Sequence, residues 1–175
     1  MKILIVSDIH GNFQNMKKVI ENDSSFDYIY LLGDVLSGPD IDGYHPEQLA
    51  EFLNVFKDKI VYVRGNCDNY HMELLEFFVD HYFLTISVDQ KMFFLTHGHL
   101  YSPYNLPSTP FDVFLSGHTH IPVLEKKEDK IFVNPGSITL PKGGSSRSYI
   151  IYENGVFYLK DLESNTVIKE LSISK

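Results

Sequence analysis

The chain has 175 residues, 43% hydrophobic and 22% charged, with a formal net charge of −8 and a single cysteine. That length suits one domain, residues 1–175, with a sizeable core, and the composition is that of an ordered globular protein. The acidic balance argues against a broad surface for duplex nucleic acid, the lone Cys67 excludes an internal disulfide, and no apolar run approaches the ~20 residues of a membrane span.

Residues 2–7 form a near-continuous apolar run, as expected of a strand buried on both faces. The run is too short for a signal peptide, which, with the single cysteine, sets a cytoplasmic expectation. Asp8-Ile9-His10-Gly11-Asn12 follows, and Asn12 can cap a helix with Phe13, Met16, Val19 and Ile20 on one face. Residues 28–32 read as a second strand ending in Gly33-Asp34. After a loop at 39–43, Pro46 opens a helix whose stripe is Leu49, Phe52, Leu53 and Phe56. Residues 60–63 are a third strand ending in Arg64-Gly65-Asn66-Cys67-Asp68, and a further helix is predicted over 72–78.

Residues 82–88 and 91–96 then pair around Asp89-Gln90 and end at His97-Gly98-His99. Prolines at 103, 107 and 110 mark 101–110 as a loop. A short buried strand at 113–116 leads into Gly117-His118-Thr119-His120. If that tetrapeptide is extended, both rings share a face and aim at one pocket. Segments 121–126 and 131–134 flank Glu128-Asp129, segments 148–152 and 156–160 flank the turn signal Asn154-Gly155, and 167–173 is a last strand. The first half is βαβ-like and the second mostly antiparallel, which two facing sheets covered by helices accommodate.

Asp8, His10, Asp34, Asn66, His97, His118 and His120 all fall just past strand ends, where open α/β sheets bind ligands. Two carboxylates, four imidazoles and one amide form a nitrogen and oxygen set without sulfur, suited to divalent first-row ions. Seven groups exceed the needs of one tetrahedral zinc and suffice for two ions if a carboxylate bridges them. Paired ions of that kind hydrolyse phosphate esters.

Asp8-x-His10, Gly33-Asp34, Gly65-Asn66-Cys67-Asp68, His97-Gly98-His99 and Gly117-His118-Thr119-His120, in this order, resemble the motif series of the calcineurin-like metallophosphoesterase superfamily. Val63 to Asp68 and Asn134-Pro135-Gly136-Ser137 resemble its small YfcE-type phosphodiesterase subgroup, and the likeness covers nearly the whole chain. The resemblance implies an α/β fold, a four-layer αββα sandwich of two mixed sheets flanked by helices, with a di-metal site at strand C-terminal ends. It implies one ion on Asp8, His10, Asp34 and His120 and another on Asp34, Asn66, His97 and His118. Manganese is the first expectation for the ions, with nickel, cobalt, iron(II) and zinc as alternatives. The implied reaction is hydrolysis of a small phosphoester, first a phosphodiester, by metal-bound hydroxide. Asn66 is placed in the catalytic set.

Larger members of the superfamily carry histidine where this chain has Cys67, so Cys67, His99 and Asp68 stand as alternative proton donors. Asn12 and Arg64 are candidates for supporting roles. Two other functions share the pattern: a phosphomonoesterase or nucleotide or dinucleoside polyphosphate hydrolase on the same centre, and a non-catalytic scaffold resembling the retromer subunit, in which the ligand set is degraded. Exposed apolar residues leave room for a homo-oligomeric face.

Overall fold

The computed structural model describes residues 1–173. One sheet has six strands: β1 (Lys2–Val6), β2 (Tyr28–Leu31), β3 (Ile60–Tyr62), β9 (Ser148–Glu153), β10 (Val156–Asp161) and β11 (Val167–Ser172), in the order β11-β10-β9-β1-β2-β3. The other has five: β4 (Phe83–Val88), β5 (Lys91–Thr96), β6 (Val113–Leu115), β7 (Val123–Lys127) and β8 (Lys130–Asn134), in the order β4-β5-β6-β8-β7. Both are mixed. β1-β2-β3 run parallel while β9 joins β1 antiparallel, and β5-β6-β8 run parallel between two antiparallel edges.

Alternation along β1 explains its unbroken apolar run. Ile3 and Ile5 enter the core between the sheets, against Phe93, Leu95, Val113, Leu115 and Tyr152. Leu4 and Val6 enter a second core under two helices, α1 (Phe13–Asn22) and α2 (Pro46–Asn54), which contribute Met16, Val19, Leu49 and Leu53. Asn12 caps α1 as the sequence suggests, its side-chain oxygen accepting from Asn15 N at 2.9 Å. Pro46 occupies the first turn of α2.

The fold class is the expected one, with one layer built differently. Among the described residues no helix covers the outer face of the five-stranded sheet. The proline-rich loop 101–110 and Phe111 do so instead, with Tyr101 and Phe111 packed on Phe94, Phe114 and Phe132. The helix expected over 72–78 is also absent. Only a 3₁₀ turn, Met72–Leu74, forms there. Beyond it Leu75 is extended, and Asn54 of α2 pairs with the backbone on either side, donating to Leu74 O at 2.8 Å and accepting from Glu76 N at 2.8 Å. A tertiary contact thus outcompetes helical periodicity.

Candidate metal centre

The seven predicted ligand residues leave the ends of β1, β2, β3, β5 and β6, and backbone bonds tie these ends together. Asp8 N donates to Gly33 O at 3.1 Å, His10 N to Asp34 O at 2.9 Å, and Gly117 N to His97 O at 2.7 Å. Close approach of the turns requires glycine at two points. A Cβ on Gly65 would lie 2.1 Å from Asp34 Oδ1, and one on Gly117 would lie 1.8 Å from Ser7 Oγ.

Five of the seven residues have left-handed backbones: Asp8 (φ 53°), His10 (49°), Asp34 (53°), His118 (68°) and His120 (59°). Each such non-glycine conformation costs on the order of 1 kcal/mol or more, and clustering at one place is typical of functional sites. This corrects the extended reading of Gly117 to His120. Because both histidines turn left-handed, their rings diverge. His120 lies beside His10, centroids 5.1 Å apart, while His118 lies beside His97, also at 5.1 Å.

The imidazoles are oriented for ligation. The Nδ1 positions of His10, His97 and His120 face the backbone carbonyls of Ser37 (2.9 Å), Leu32 (2.7 Å) and Leu140 (2.6 Å). A carbonyl only accepts, so each Nδ1 carries the hydrogen and donates, and each Nε2 of the neutral ring presents its lone pair to the centre. His10 Nε2 and His120 Nε2 then face each other at 3.3 Å, an arrangement that needs a proton or a cation between them. Asp8 Oδ1 lies 3.1 Å from His120 Nε2 and 3.8 Å from His10 Nε2, buried and without a well-aligned hydrogen bond. Its other oxygen accepts from Ser7 Oγ at 2.7 Å and His118 N at 2.9 Å.

Asp34 sits between the two ring pairs. Its Oδ2 is 3.3 Å from His97 Nε2 and 3.9 Å from His10 Nε2, and its Oδ1 accepts from Cys67 N at 2.8 Å. Asn66 Oδ1 lies 3.1 Å from His97 Nε2. Among the described residues, two groups meet the distance requirement for holding an ion, Asp8, His10 and His120, and Asp8, Asp34 and His97, with Asp8 common to both. The orphaned Asp8 oxygen and the opposed ring nitrogens both fit occupation by divalent cations.

The electrostatics agree. Burial opposes ionisation of Asp34, yet His97, the Cys67 N–H and His10 hold its carboxyl far below the usual carboxylate range. Burial likewise disfavours the charged forms of His97 and His120, but the carboxylates Asp34 and Asp8 raise both above the ordinary histidine value. Protons and metal ions therefore compete for the same nitrogens. Burial and the neighbouring His97 lower His118 and His99.

The proton-donor candidates separate clearly. Cys67 lies at the rim, its thiol pushed up to about 11 by burial and then by Asp34. His99 stands beside the ligands, 5.4 Å from the His97 ring and 6.3 Å from that of His118. Asp68 is not a donor at all. It is 0% exposed, and its oxygens accept from Asp34 N, Val35 N and Gly65 N, each at 2.8 Å, and from the Tyr62 hydroxyl. It is the peg that joins the β2 and β3 turns. Arg64 donates to Asp80 and to the Asp68 carbonyl, a supporting role. The sequence also gave no role to Asn134 and Ser137. Asn134 Nδ2 donates to Gly117 O at 2.8 Å and Ser137 Oγ to Asp8 O at 2.7 Å, bracing the turns that carry Asp8 and His118.

Residues 1–155 match the model of the calcineurin-like phosphoesterase superfamily domain. The chain is 38% identical over 182 residues to phosphodiesterase YfcE of Escherichia coli K12, covering 99% of each. Its structure matches a solved E. coli YfcE, a phosphoesterase, with a TM-score of 0.93 at 37% identity, covering 99% of this chain and 100% of that one. Phosphodiesterase MJ0936 of Methanocaldococcus jannaschii is 33% identical over 147 residues, 78% of this chain and 83% of that protein. Vacuolar Protein Sorting 29 from Cryptosporidium parvum matches with a TM-score of 0.66 at 20% identity, over 98% of this chain and 97% of that one, a likeness of fold alone.

Proposed function

The chain belongs to the calcineurin-like phosphoesterase superfamily, and from that premise we propose that it is a metal-dependent phosphodiesterase working on a small substrate at a two-ion centre. The observation that carries this reading is the convergence of three carbonyl-anchored Nε2 atoms on the Asp8 and Asp34 carboxylates. Asp8, His10, Asp34 and His120 would hold one ion, and Asp34, Asn66, His97 and His118 the other, with Asp34 shared. Manganese is the ion proposed, and nickel, cobalt, iron(II) or zinc suits the same donors.

When bound, two divalent ions supply a nucleophilic water at neutral pH and neutralise the phosphoryl oxygens. The protein's own part is orientation. The carbonyls of Ser37, Leu32 and Leu140 fix the ring tautomers, and the peptide N–H of Cys67 fixes Asp34. Two carboxylates against two divalent ions leave a local charge of about +2, which attracts a phosphodiester despite the acidic whole. Asn66, exposed and on the wall of the adjoining groove, would touch the substrate phosphoryl group. Cys67 and His99 are the donors proposed to protonate an alkoxide leaving group.

No helix among the described residues is long and apolar enough to cross a membrane. We place the protein in the cytoplasm, as one domain over 1–175, with a homo-oligomer compatible with its exposed apolar residues. A retromer-like scaffold is disfavoured because all seven ligand positions carry metal-ligating residue types and five of them, Asp8, His10, Asp34, His97 and His120, cluster in two groups within ligand distance. The test is hydrolysis of bis(4-nitrophenyl) phosphate and 4-nitrophenyl phosphate by chelator-stripped protein reloaded with Mn²⁺ or other ions. Metal-restored turnover, faster on the diester, is expected. No metal-dependent turnover of either ester would favour the scaffold, and a faster monoester would reassign the substrate class.

A further inference from the structure

The turns after β2 and β3 enclose a groove of about 420 Å³ that opens on the candidate metal centre, with His10, Pro39, Asn66, Cys67, Asn69 and Tyr70 on its walls. Its volume lies toward the small end of ligand sites, enough for one ring system beside the phosphoryl group. Tyr70 is unusual within it. The side chain belongs to a residue 72% exposed, yet its backbone is held at both ends by one buried hydroxyl: Tyr70 N donates to Ser37 Oγ at 3.1 Å, and Ser37 Oγ donates to Tyr70 O at 3.2 Å. Asn69 is tied in the same turn, its N donating to Cys67 O at 2.8 Å and its Nδ2 to Asn66 O at 3.3 Å. A solvent-facing aromatic ring on a fixed backbone, on the wall of this groove, offers an open face for a ligand to stack on.

Charge selects the ligand. None of the groove's wall residues is Lys, Arg, Asp or Glu. The nearby Arg64 is engaged by Asp80 at 3.0 Å and the Asp68 carbonyl at 2.9 Å, and the loop beyond Pro39 carries the exposed carboxylates Asp40 and Asp42. A second phosphate placed here would find no Lys or Arg side chain on the groove's walls. An uncharged flat group would find an aromatic face.

We propose that this groove seats one ester group of the phosphodiester, an uncharged planar ring of aryl or nucleoside type, with Tyr70 as its stacking surface. This rests on the phosphodiesterase reading of the adjoining centre. It separates simple diesters of ring-bearing alcohols from dinucleoside polyphosphates, whose further charges the groove does not match. Tyr70 acts on which ester is preferred, and the ions and their ligands act on turnover itself.

The test is calorimetric binding of phenylphosphonate and methylphosphonate, which cannot be hydrolysed, to the Mn²⁺-loaded protein. Stacking of one ring predicts at least about fivefold tighter binding of the phenyl compound. Tyr70→Ala should bring the ratio of the two affinities near one, while Tyr70→Phe should keep it. Thymidine 5′-monophosphate distinguishes the sources. A Tyr70-dependent advantage over deoxyribose 5-phosphate points to a nucleoside, and its absence alongside a phenyl preference points to a plain aryl group. Equal binding of the two phosphonates by wild type, or a ratio that survives Tyr70→Ala, would overturn the groove assignment and leave the metal centre standing. Failure of both phosphonates to bind the loaded protein would instead overturn the centre, and the groove with it.

Discussion

Asp34→Ala is expected to lower metal-supported diester turnover at least about a thousandfold, with fewer than two ions retained per chain. The size follows from what the carboxylate touches. Asp34 lies within 4 Å of both ring pairs, 3.3 Å from His97 and 3.9 Å from His10. On the proposed assignment, losing it would separate the two halves of the site and remove one of the two negative charges that would hold cations there. Lewis-acid stabilisation of the transition state amounts to several kcal/mol, and each 1.36 kcal/mol is a factor of about ten. Steady-state rates with elemental analysis of the purified variant check both parts. Turnover within about tenfold of wild type would show that Asp34 does not bridge.

Asp68→Ala is expected to destabilise the protein by at least about 3 kcal/mol, because three buried backbone N–H groups lose their acceptor at once. The side chain is 0% exposed, so no water replaces it without rearrangement. The Tyr62 hydroxyl loses its partner as well. Burial, then the charge and hydrogen bond of Asp68, raise the Tyr62 pKa far above the ordinary tyrosine value, so this hydroxyl remains a donor throughout the stable pH range. Since Asp34 N is one of the orphaned donors, the bridge position shifts with the fold. Urea unfolding of the metal-free variant measures the loss directly. A change below about 1 kcal/mol would show that the peg is dispensable.

The strands and turns were legible where local chemistry alone decides them. The apolar run at 2–7 announced a strand covered on both faces, and Asp89-Gln90 and Asn154-Gly155 adopt the paired left-handed turns that tight hairpins require (φ 48° and 63°; 50° and 82°). Ligand types recurring at five strand ends announced the centre, because sheet topology collects those ends in one place. What the sequence did not reveal depends on partners distant along the chain. The segment 72–78 has helical spacing, but Asn54, some twenty residues earlier, takes the backbone groups a helix would use. The left-handed turns at His118 and His120 follow from the Gly117 N to His97 O bond and the Asp8 contact with His118 N, which no local pattern records. Asp68 looked like a candidate acid from its place beside Cys67. Only the tertiary structure shows both of its oxygens already occupied.

The geometry at His118 and His120 also gives the most direct test of the two-ion centre. A crystal of the protein grown with Mn²⁺ and measured by anomalous scattering should show two peaks per chain, roughly 3.5–4 Å apart as in other paired-metal hydrolases. His120 should contact one ion and His118 the other, with Asp34 touching both. A single ion holding both rings, or two ions that do not share Asp34, would contradict the assignment.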